Sequence, residues 1–334
     1  MSIKTDLHRL IDQFADRRIL VVGDLTLDEF MTCLTERISR EAPVLILRHE
    51  QTHRAPGGGA NAVYNLACLG AAVAVVGVVG NDLQAEAMKD LLTEAGVDVS
   101  GLVVDPSRPT VTKTRIAAHS RQSVTQQVVR VDRKSDEPLA ASLQQQLAER
   151  ILERVSGFEA VICSDYLEGV LTDKTIAAAL AHQRVIVDTH SGLERYHGAH
   201  LFTPNLPEAE AAVGYAIRTP ALLSQAGQDL LERTEADHIL ITRGEEGMSL
   251  FSRTGERQHI PAFNRTQVFD VTGAGDTVVA ALTLTLAGGG SAHQAAVLGN
   301  LAASIVVRQF GTATTNAAEL HAYLEELAPE ALGE

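Results

Sequence analysis

Short apolar segments rich in β-branched residues alternate with helical segments along most of this chain of 334 residues. Each short segment ends in polar residues or glycine, which is typical of parallel strands that are buried on both faces. The segments predicted as strands are 18–24, 71–80, 158–165, 184–188, 200–205 and 238–244. The segments predicted as helices are 61–70, 82–96, 140–155, 173–183 and 220–234. This alternation predicts an α/β fold, in which helices cover both faces of an open, mostly parallel sheet.

Two segments, 29–50 and 111–132, break this pattern because polar and apolar residues alternate within them and no helix intervenes. They predict antiparallel strands with one solvated face. The two pieces can form a small sheet, which is either a lid over the main domain or an extension of the main sheet's edge. We expect a single domain that spans the whole chain, with a lid built from about 29–55 and 109–133. A hairpin over 247–263 is expected to close the edge of the main sheet.

The charge of the chain limits its partners. The formal net charge is −14, which argues against a nucleic-acid interface because such an interface needs a basic face. The longest apolar runs are too short to span a bilayer, and the first residues predict a charged amphipathic helix instead of a signal peptide. Cys33, Cys68 and Cys163 have no CxxC spacing. We therefore expect a cytoplasmic protein with reduced thiols and neither a nucleic-acid nor a membrane partner.

Polar side chains follow several of the predicted strands. They are Asp24, Asp28, Asp165, Asp188, Asn205, Glu208 and Thr242. A single aspartate in such a place is usually a cap or a turn residue. In an open α/β sheet, however, ligands bind at the carboxyl ends of the strands, where these side chains converge. The set predicts a site for hydroxyl groups and a metal ion, and we assign Asp165 to the substrate.

The sequence FDVTGAGDT places two glycines and an aspartate directly before a helical segment. The backbone N–H groups of Gly273, Ala274, Gly275 and Asp276 can point into one concavity at a helix N-terminus, which favours an anion. Asp276 then has two interpretations. It caps the helix, or it accepts a proton from a hydroxyl group that attacks a bound phosphate.

A second glycine cluster, PGGGANAVYNLACLG, also enters a helical segment. Gly57, Gly58 and Gly59 allow the backbone to approach a ligand closely, and Asn61 and Asn65 project from one face of the helix. A tight turn followed by capping asparagines is the alternative. The cluster is not a Walker A loop, and it lacks the GxGxxG spacing of a dinucleotide site.

Together these residues resemble the ribokinase-like (PfkB) carbohydrate kinases over nearly the whole chain. The motifs that carry the resemblance are PGGGANAVYNLACLGAAVAVVGVVGND, TPNLPEAE, TRGEEGM and DVTGAGD, in this order. Within the family the chain is most similar to the D-glycero-β-D-manno-heptose-7-phosphate kinases, on stretches such as GDLTLDEF, TKTRI and SDYLEGVL. The resemblance implies a ribokinase-like sheet with a small β-sheet lid, and an enzyme that uses ATP and Mg²⁺.

The resemblance also implies roles for single residues. Asp276 would be the general base, and the N–H groups of Gly273, Ala274 and Gly275 would form the anion hole for the transferred phosphoryl group. Sugar hydroxyls would be held by Asp28, Gly57, Gly58 and Asn61. The nucleotide would be held by Asn205, Thr242, Gly244, Gly247 and Asn300, and Glu208 would organise Mg²⁺ through water.

Two further assignments have alternatives. Lys113 and Arg115 would contact a substrate phosphate, unless they are solvated charges on the wet face of a strand. Asp270 and Thr272, with the loop 308–314, resemble the monovalent-cation site of some members, where K⁺ binds. Asp270 can equally anchor a turn.

Two positions depart from the heptose-phosphate subgroup, which has lysines there: Glu168 in SDYLEG and His190 in DTHSG. Loss of cations beside a sugar-phosphate pocket weakens phosphate binding. The leading hypothesis is still phosphorylation of heptose 7-phosphate at its C1 hydroxyl. The alternatives are a kinase for an unphosphorylated sugar or a nucleoside, and a catalytically silent binding relative, against which the intact Asp276 argues.

Assembly is predicted from the lid. If one of its faces is apolar, with Val44, Ile46, Val129 and Val131, a homodimer would bury that face. After the GAGD helix the sequence predicts one pair of helices and a tail, so we expect no nucleotidylyltransferase domain in it.

Overall fold

The computed structural model describes residues 3–120, 125–264, 267–309, 311–328 and 332. The helices found there are α1 (Ile3–Asp12), α2 (Gly59–Cys68), α3 (Leu83–Glu94), α4 (Ala141–Val155), α5 (Asp173–Ala179), α6 (Leu206–Val213), α7 (Pro220–Thr234), α8 (Ala274–Ala287), α9 (Ala292–Val306) and α10 (Ala317–Glu326). The strands are β1 (Arg18–Gly23), β2 (Leu25–Ile38), β3 (Leu45–Gly58), β4 (Ala72–Val79), β5 (Asp98–Val104), β6 (Thr112–His119), β7 (Gln126–Arg133), β8 (Ala160–Asp165), β9 (Val185–Thr189), β10 (Leu201–Phe202), β11 (His238–Thr242), β12 (Met248–Ser252) and β13 (Arg257–Ile260).

Nine of these strands form one open sheet in the order β13-β12-β11-β10-β9-β8-β1-β4-β5. The pairs from β11 to β5 are parallel, whereas β12 and β13 form the predicted antiparallel hairpin at one edge. All six strands predicted from the alternation are present, which confirms the α/β interpretation. The carboxyl ends of β1, β8, β9, β10 and β11 therefore lie side by side, as a ligand site in such a sheet requires.

Strand β5 was not predicted. It lies at the other edge of the sheet, and its first residues, Asp98 to Ser100, are not buried. Gly101 lies in the middle of the strand. A larger residue does not fit there, because a Cβ atom would lie 2.3 Å from the backbone oxygen of Val75 on β4. Polar residues and a glycine required by close packing conceal the strand pattern.

Strand β1 shows how the sheet is covered on both faces. Ile19 and Val21 pack with α1, α2, α3, α8, α9 and α10, whereas Leu20 and Val22 pack with α4, α5, α6 and α7. All four side chains are fully buried. A strand with two buried faces must be apolar throughout, which explains the run RILVVG.

The small sheet is separate from the large one, with strand order β3-β2-β6-β7, so it is not an extension of the main edge. Strands β2 and β3 are antiparallel, as are β6 and β7, which agrees with the antiparallel strands predicted for these two segments. The hairpins join through a parallel pairing of β2 with β6, and the expectation of antiparallel strands alone is corrected there. Residues 121–124 of the predicted lid lie outside the described residues.

The small sheet is tied to the main sheet through its own chain ends. A single residue, Asp24, separates β1 from β2, and β3 runs directly into α2. The N–H of Gly59 donates to the carbonyl of Asp24 at 2.8 Å, so the end of β3 is held against the end of β1. Among the described residues, no helix has the length and apolar character needed to cross a bilayer.

Candidate active site

The GAGD sequence forms the start of helix α8. Gly273 is the N-cap with φ +78°, a left-handed conformation that favours glycine. A Cβ atom at this position would also lie 2.6 Å from Nδ2 of Asn61. Glycine therefore allows α8 to begin against α2, and it brings Asp276 of α8 next to Asn61.

Asp276 does not cap its own helix, because no side chain caps α8. Its carboxylate accepts a hydrogen bond from Nδ2 of Asn61 at 2.7 Å and one from the hydroxyl of Tyr166 at 2.9 Å. A second polar contact joins the same helices, since the hydroxyl of Thr277 donates to Oδ1 of Asn65 at 2.8 Å. The capping interpretation is wrong, and two donors aim the carboxylate.

Burial raises the pKa of Asp276 to about 6, and the hydrogen bonds from Asn61 and Tyr166 and the charge of His190 oppose that rise. The side chain is 5% exposed. A carboxylate with a pKa near neutrality binds a proton more strongly than an ordinary aspartate and is still largely ionised at pH 7. Both properties suit a general base.

Two cavities meet at this helix start. The smaller one has a volume of about 130 Å³, and its lining includes Tyr166, Asp188, His190, Thr203, Asn205, Glu208 and Asp276. The larger one has a volume of about 460 Å³, and its lining includes Thr242, Gly244, Gly247, Met248, Ala262, Ala274 and Asn300. Thr242, Gly275 and Val278 line both cavities. The GAGD turn therefore separates a larger, mostly apolar space from a smaller, acidic one.

The predicted nucleotide residues divide between the two cavities. Thr242, Gly244, Gly247 and Asn300 line the larger one, and Asn205 lines the smaller one. Asn300 is held in place because its Nδ2 donates to the carbonyl of Pro261 at 2.8 Å. The structure thus brings all five residues to one continuous region.

Glu208 is fixed at the start of helix α6. Its backbone N–H donates to Oδ1 of Asn205, the N-cap residue, and its Oε2 accepts from the N–H of Asn205, both at 2.9 Å. Its Oε1 lies 2.7 Å from Nδ1 of His190. Burial, with the charges of Asp276 and Glu208, raises the pKa of Asp188 to about 7.

These carboxylates suit a hard cation. Three of them, Asp188, Glu208 and Asp276, line the smaller cavity, and their mutual repulsion is what a bound cation would relieve. No group of three or more ligating side chains is close enough to hold a metal by itself among the described residues. Asp188 and Glu208, together with water, fit Mg²⁺, which keeps several waters and relies on few protein ligands.

The second glycine cluster supports the small sheet beside the cavity. A Cβ atom at Gly57 would lie 2.5 Å from Oδ2 of Asp28, and Gly58 is the N-cap of α2 with φ +54°. Asp28 is 4% exposed and accepts a hydrogen bond from Nη1 of Arg115 at 2.6 Å. Arg115 is therefore not a solvated charge, and its guanidinium lies 5.2 Å from the ring centre of Phe30.

Lys113 lies opposite Asp28 in the register of the small sheet. Its ammonium is 5.8 Å from the ring centre of Tyr166, which lines the smaller cavity. Asp28, Lys113 and Arg115 thus share the face of the small sheet that looks toward Asp276. The sheet has the position of a lid.

Several predicted site residues line neither cavity, namely Asp28, Gly57, Gly58, Asn61, Lys113, Arg115, Asp165, Asp270 and Thr272. Among them, Asp165 is engaged within the protein. Its carboxylate is 2% exposed and accepts hydrogen bonds from the hydroxyl of Tyr196 at 2.7 Å and the N–H of Leu167 at 3.0 Å. Arg195 pairs with it at 3.2 Å. Protein donors hold this carboxylate, and through the N–H of Leu167 it anchors the loop after β8.

Asp270 anchors a turn. Its Oδ1 accepts from the N–H and the hydroxyl of Thr272 at 3.0 and 2.7 Å, and its Oδ2 accepts from the N–H of Gly311 at 2.9 Å. Burial acts to raise the pKa of Asp270, but these hydrogen bonds outweigh it and the pKa is lowered. These contacts are those of a turn anchor, and Phe310 of the same loop lies outside the described residues.

Glu168 and His190, the two positions that depart from the heptose-phosphate subgroup, both pair with charged side chains. Glu168 lies 3.7 Å from Nζ of Lys134, so a lysine from another part of the chain stands beside it. His190 pairs with Glu208, and its ring packs edge-on against Tyr166 with 4.7 Å between ring centres. The hydrogen bond that His190 makes to the carboxylate of Glu208 raises the pKa of His190, although burial opposes this.

Sequence analysis missed Tyr166 and Thr203. Tyr166 follows β8 directly, and Thr203 follows β10, so both stand at carboxyl ends of strands of the central sheet. The strand-end rule that predicted Asn205 and Thr242 applies to these two positions as well and would have found them. Thr203 donates to Oδ1 of Asp188 at 3.2 Å, and Tyr166 donates to Asp276.

Known proteins resemble this chain over most of its length. Residues 16–319 match the pfkB family of carbohydrate kinases, and the chain belongs to that family. It is 44% identical over 323 residues to the bifunctional protein HldE of Geobacter metallireducens, covering 95% of this chain and 65% of that protein. It is 42% identical over 307 residues to the bifunctional protein HldE of Geobacter sulfurreducens, covering 90% of this chain and 61% of that protein. The chain thus spans less than two thirds of the length of these relatives.

Solved structures show the same fold. Phosphofructokinase-2 from Escherichia coli in complex with potassium has a TM-score of 0.73 at 24% identity, over 92% of this chain and 99% of that one. Ribokinase from Arabidopsis thaliana complexed with ribose and ATP has a TM-score of 0.71 at 19% identity, over 92% and 99% of the two chains. The large sheet with a separate small sheet is therefore the ribokinase-like architecture.

Proposed function

We propose that this protein transfers the γ-phosphate of ATP to a hydroxyl group of a sugar phosphate, with D-glycero-D-manno-heptose 7-phosphate as substrate and its C1 hydroxyl as acceptor. The observation that carries the proposal is the position of Asp276. It stands at the start of α8, where the two cavities meet, and two donors fix its carboxylate. A base beside an anion-binding helix start is what phosphoryl transfer to a hydroxyl group requires.

ATP would occupy the larger cavity, with its adenine near Asn300 and its phosphates directed toward α8. The N–H groups of Gly273, Ala274 and Gly275 would stabilise the charge on the transferred phosphoryl group. Asp28 and Asn61 would hold the sugar so that its hydroxyl faces Asp276. As this hydroxyl attacks the γ-phosphorus, Asp276 takes its proton, and ADP leaves with the electrons of the broken bond.

Mg²⁺ would be organised by Glu208, Asp188 and Asn205 through water. When bound, it neutralises phosphate charge. The raised pKa of Asp188 supports this assignment, because burial and neighbouring negative charge make the site favourable for a cation. Glu208 and Asn205 already hold each other through the capping box, so they need no rearrangement to organise Mg²⁺.

The substrate assignment rests on charge and on the relatives. Lys113 and Arg115 on the small sheet supply cations on the sugar side of Asp276. A phosphate carried by the sugar would be attracted to them. The relatives named HldE are the second support, since heptose-7-phosphate kinase activity is expected of that group.

A kinase for an unphosphorylated sugar or a nucleoside is the second candidate. Glu168 favours this candidate, because a carboxylate stands where the subgroup has a lysine. Its side chain is 11% exposed and pairs with Lys134. A silent binding protein is disfavoured, since the base, its two donors and the glycine at the N-cap are all in place.

Three further properties stay predictions. Val44, just before β3, and Val129 and Val131 on β7 are 56, 46 and 44% exposed, and a homodimer through the small sheet would cover them. Asp270 and Thr272 would hold K⁺ if the neighbouring loop supplies backbone oxygens. A cytoplasmic location is the third property that stays a prediction.

The experiment is ADP production from ATP with a panel of sugars, sugar phosphates and nucleosides. Turnover with the heptose 7-phosphate alone supports the proposal. Turnover with a neutral sugar or nucleoside, and none with the phosphate, would replace it by the second candidate. ATP binding without turnover on any acceptor would contradict both enzyme functions.

A further inference from the structure

Tyr166 makes three contacts that meet at the catalytic end of the sheet. Its hydroxyl donates to Oδ1 of Asp276 at 2.9 Å. The ring of His190 packs against its edge at 4.7 Å, and the ammonium of Lys113 lies 5.8 Å from its ring centre. The ring is therefore held by a residue of the main sheet on one side and by a residue of the small sheet on another. These contacts fix the direction of the hydroxyl.

The backbone of Tyr166 is held as firmly as its ring. Asp24, which is 1% exposed, accepts hydrogen bonds from the N–H groups of Tyr166, Glu168 and Val170, each at 2.9 Å. Asp165 accepts from the N–H of Leu167 at 3.0 Å. Two buried carboxylates thus organise one short loop whose only polar side-chain group directed at Asp276 is the phenol of Tyr166.

The loop is also strained. Leu167 has φ +62°, a left-handed conformation that a residue with a Cβ atom rarely adopts, and its side chain is 51% exposed. Apolar burial does not explain this backbone, because the leucine is on the surface. Such strain persists where the surroundings impose it, and it is concentrated at functional sites. Here it accompanies the placement of the Tyr166 hydroxyl.

We propose that Tyr166 is a positioning residue for Asp276. The hydroxyl of Tyr166 keeps the carboxylate of Asp276 ionised and aimed into the smaller cavity. The inference rests on the proposed function, because it concerns the group that would take the proton from the sugar. Burial and the nearby charge of Asp276 raise the pKa of Tyr166 well above its usual value, so the phenol stays a donor throughout the working pH range. Its hydrogen bond stabilises the ionised carboxylate and lowers the proton affinity of Asp276.

Other groups face Asp276 as well. Asn61 on α2 donates to Oδ2, His190 after β9 contributes positive charge, and Asp28 on β2 and Asp188 on β9 contribute negative charge. Asn61 holds one oxygen and Tyr166 the other. Tyr166→Phe removes one donor only, and it leaves the ring contacts with His190 and Lys113.

The test is a titration of Asp276 in the protein without substrate. The carboxyl carbons of aspartate are labelled with ¹³C, and Asp276 is assigned as the resonance that Asp276→Asn removes. In Tyr166→Phe the midpoint is expected to rise by about one pH unit, the size of a hydrogen bond to an ionised group. Tyr215→Phe is the matched control, because its hydroxyl donates to Asp229 at 2.7 Å away from both cavities. The control should leave the midpoint unchanged.

An unchanged midpoint in folded Tyr166→Phe would overturn the inference. If that variant does not fold, 3,5-difluorotyrosine at position 166 replaces it. Fluorination strengthens the phenol as a donor, so the midpoint of Asp276 should fall, and a midpoint that stays or rises would count against the proposal. The acid limb of kcat/KM in the active protein should move with the midpoint. A shifted midpoint in a protein that phosphorylates no acceptor would uphold the positioning role and contradict the kinase function.

Discussion

Nδ2 of Asn61 and Oδ2 of Asp276 lie 2.7 Å apart, although 215 positions separate the two residues in the sequence. This hydrogen bond joins the glycine cluster at the start of α2 to the GAGD turn at the start of α8. The two most distinctive motifs of the sequence are therefore two halves of one site. The buried contact fixes the carboxylate and favours its ionised form.

Replacing Asn61 by alanine should move the acid limb of kcat/KM to higher pH by about one unit, because a donor to the ionised form of Asp276 is lost. The pH profile of turnover measures this. Asn316→Ala is the control, since Asn316 caps α10 by accepting from the N–H of Glu319 at 3.0 Å. It should lower stability by about 1 kcal/mol and leave the acid limb in place. Equal shifts in both variants would contradict the assignment.

Gly273→Ala should destabilise the protein by about 1–3 kcal/mol, because it combines a positive φ with a Cβ atom 2.6 Å from Asn61. Urea unfolding gives the change in the free energy of unfolding. Gly275→Ala is the matched control, two residues along in the same helix, where a Cβ atom would meet no heavy atom within 4 Å. It should be neutral or slightly stabilising. Equal losses at the two positions would argue against the packing described for α8.

Asp276→Asn should stabilise the fold at high pH. The pKa of Asp276 is raised from 3.8 to about 6 on folding, so burial of its charge costs stability above pH 6 and nothing below pH 3.8. At pH 8 the free energy of unfolding of the variant should therefore exceed that of the wild type by up to about 3 kcal/mol. The variant should accordingly unfold at a higher temperature. The difference should decrease as the pH falls from 6 to 4. A constant difference across that range would exclude the charge as its cause.

Arg115→Met should raise the KM for the sugar at least about tenfold and lower stability by about 2 kcal/mol, because it leaves the buried carboxylate of Asp28 unpaired. The KM for ATP should change little. Arg130→Met is the control on the same sheet, since that arginine pairs with Asp132 at the surface. Similar effects of both variants would show that the small sheet responds to loss of any arginine.

The sequence predicts the main sheet well because its strands are buried on both faces. Runs such as RILVVG and FEAVICSD leave no polar face that could hide the pattern. Strand β5 escapes because its first half is exposed and Gly101 interrupts it for a packing reason that only the neighbouring strand reveals. The parallel pairing of β2 with β6 escapes as well, since alternation within a strand does not specify its partner.

For the site, sequence indicates which residues converge and less of what each one does. Asp276, Asn205 and Thr242 were predicted from strand ends and glycine motifs, and they line the cavities. Asp165 followed the same rule, yet its carboxylate turns to Tyr196 and Arg195. Side-chain direction depends on long-range donors, which no local pattern records. The position of Tyr166 after β8 fits the strand-end rule, but its hydrogen bond to Asp276 joins residues 110 positions apart, which no local pattern records.

The most direct measurement of the central claim is turnover by Asp276→Asn together with its affinity for ATP. Loss of the base should reduce kcat with heptose 7-phosphate by about 10²–10⁴-fold, because the hydroxyl group loses its proton acceptor. The dissociation constant for ATP should stay within about twofold, since the anion hole is formed by backbone N–H groups. A variant that keeps wild-type kcat would contradict the assignment of Asp276 as the base.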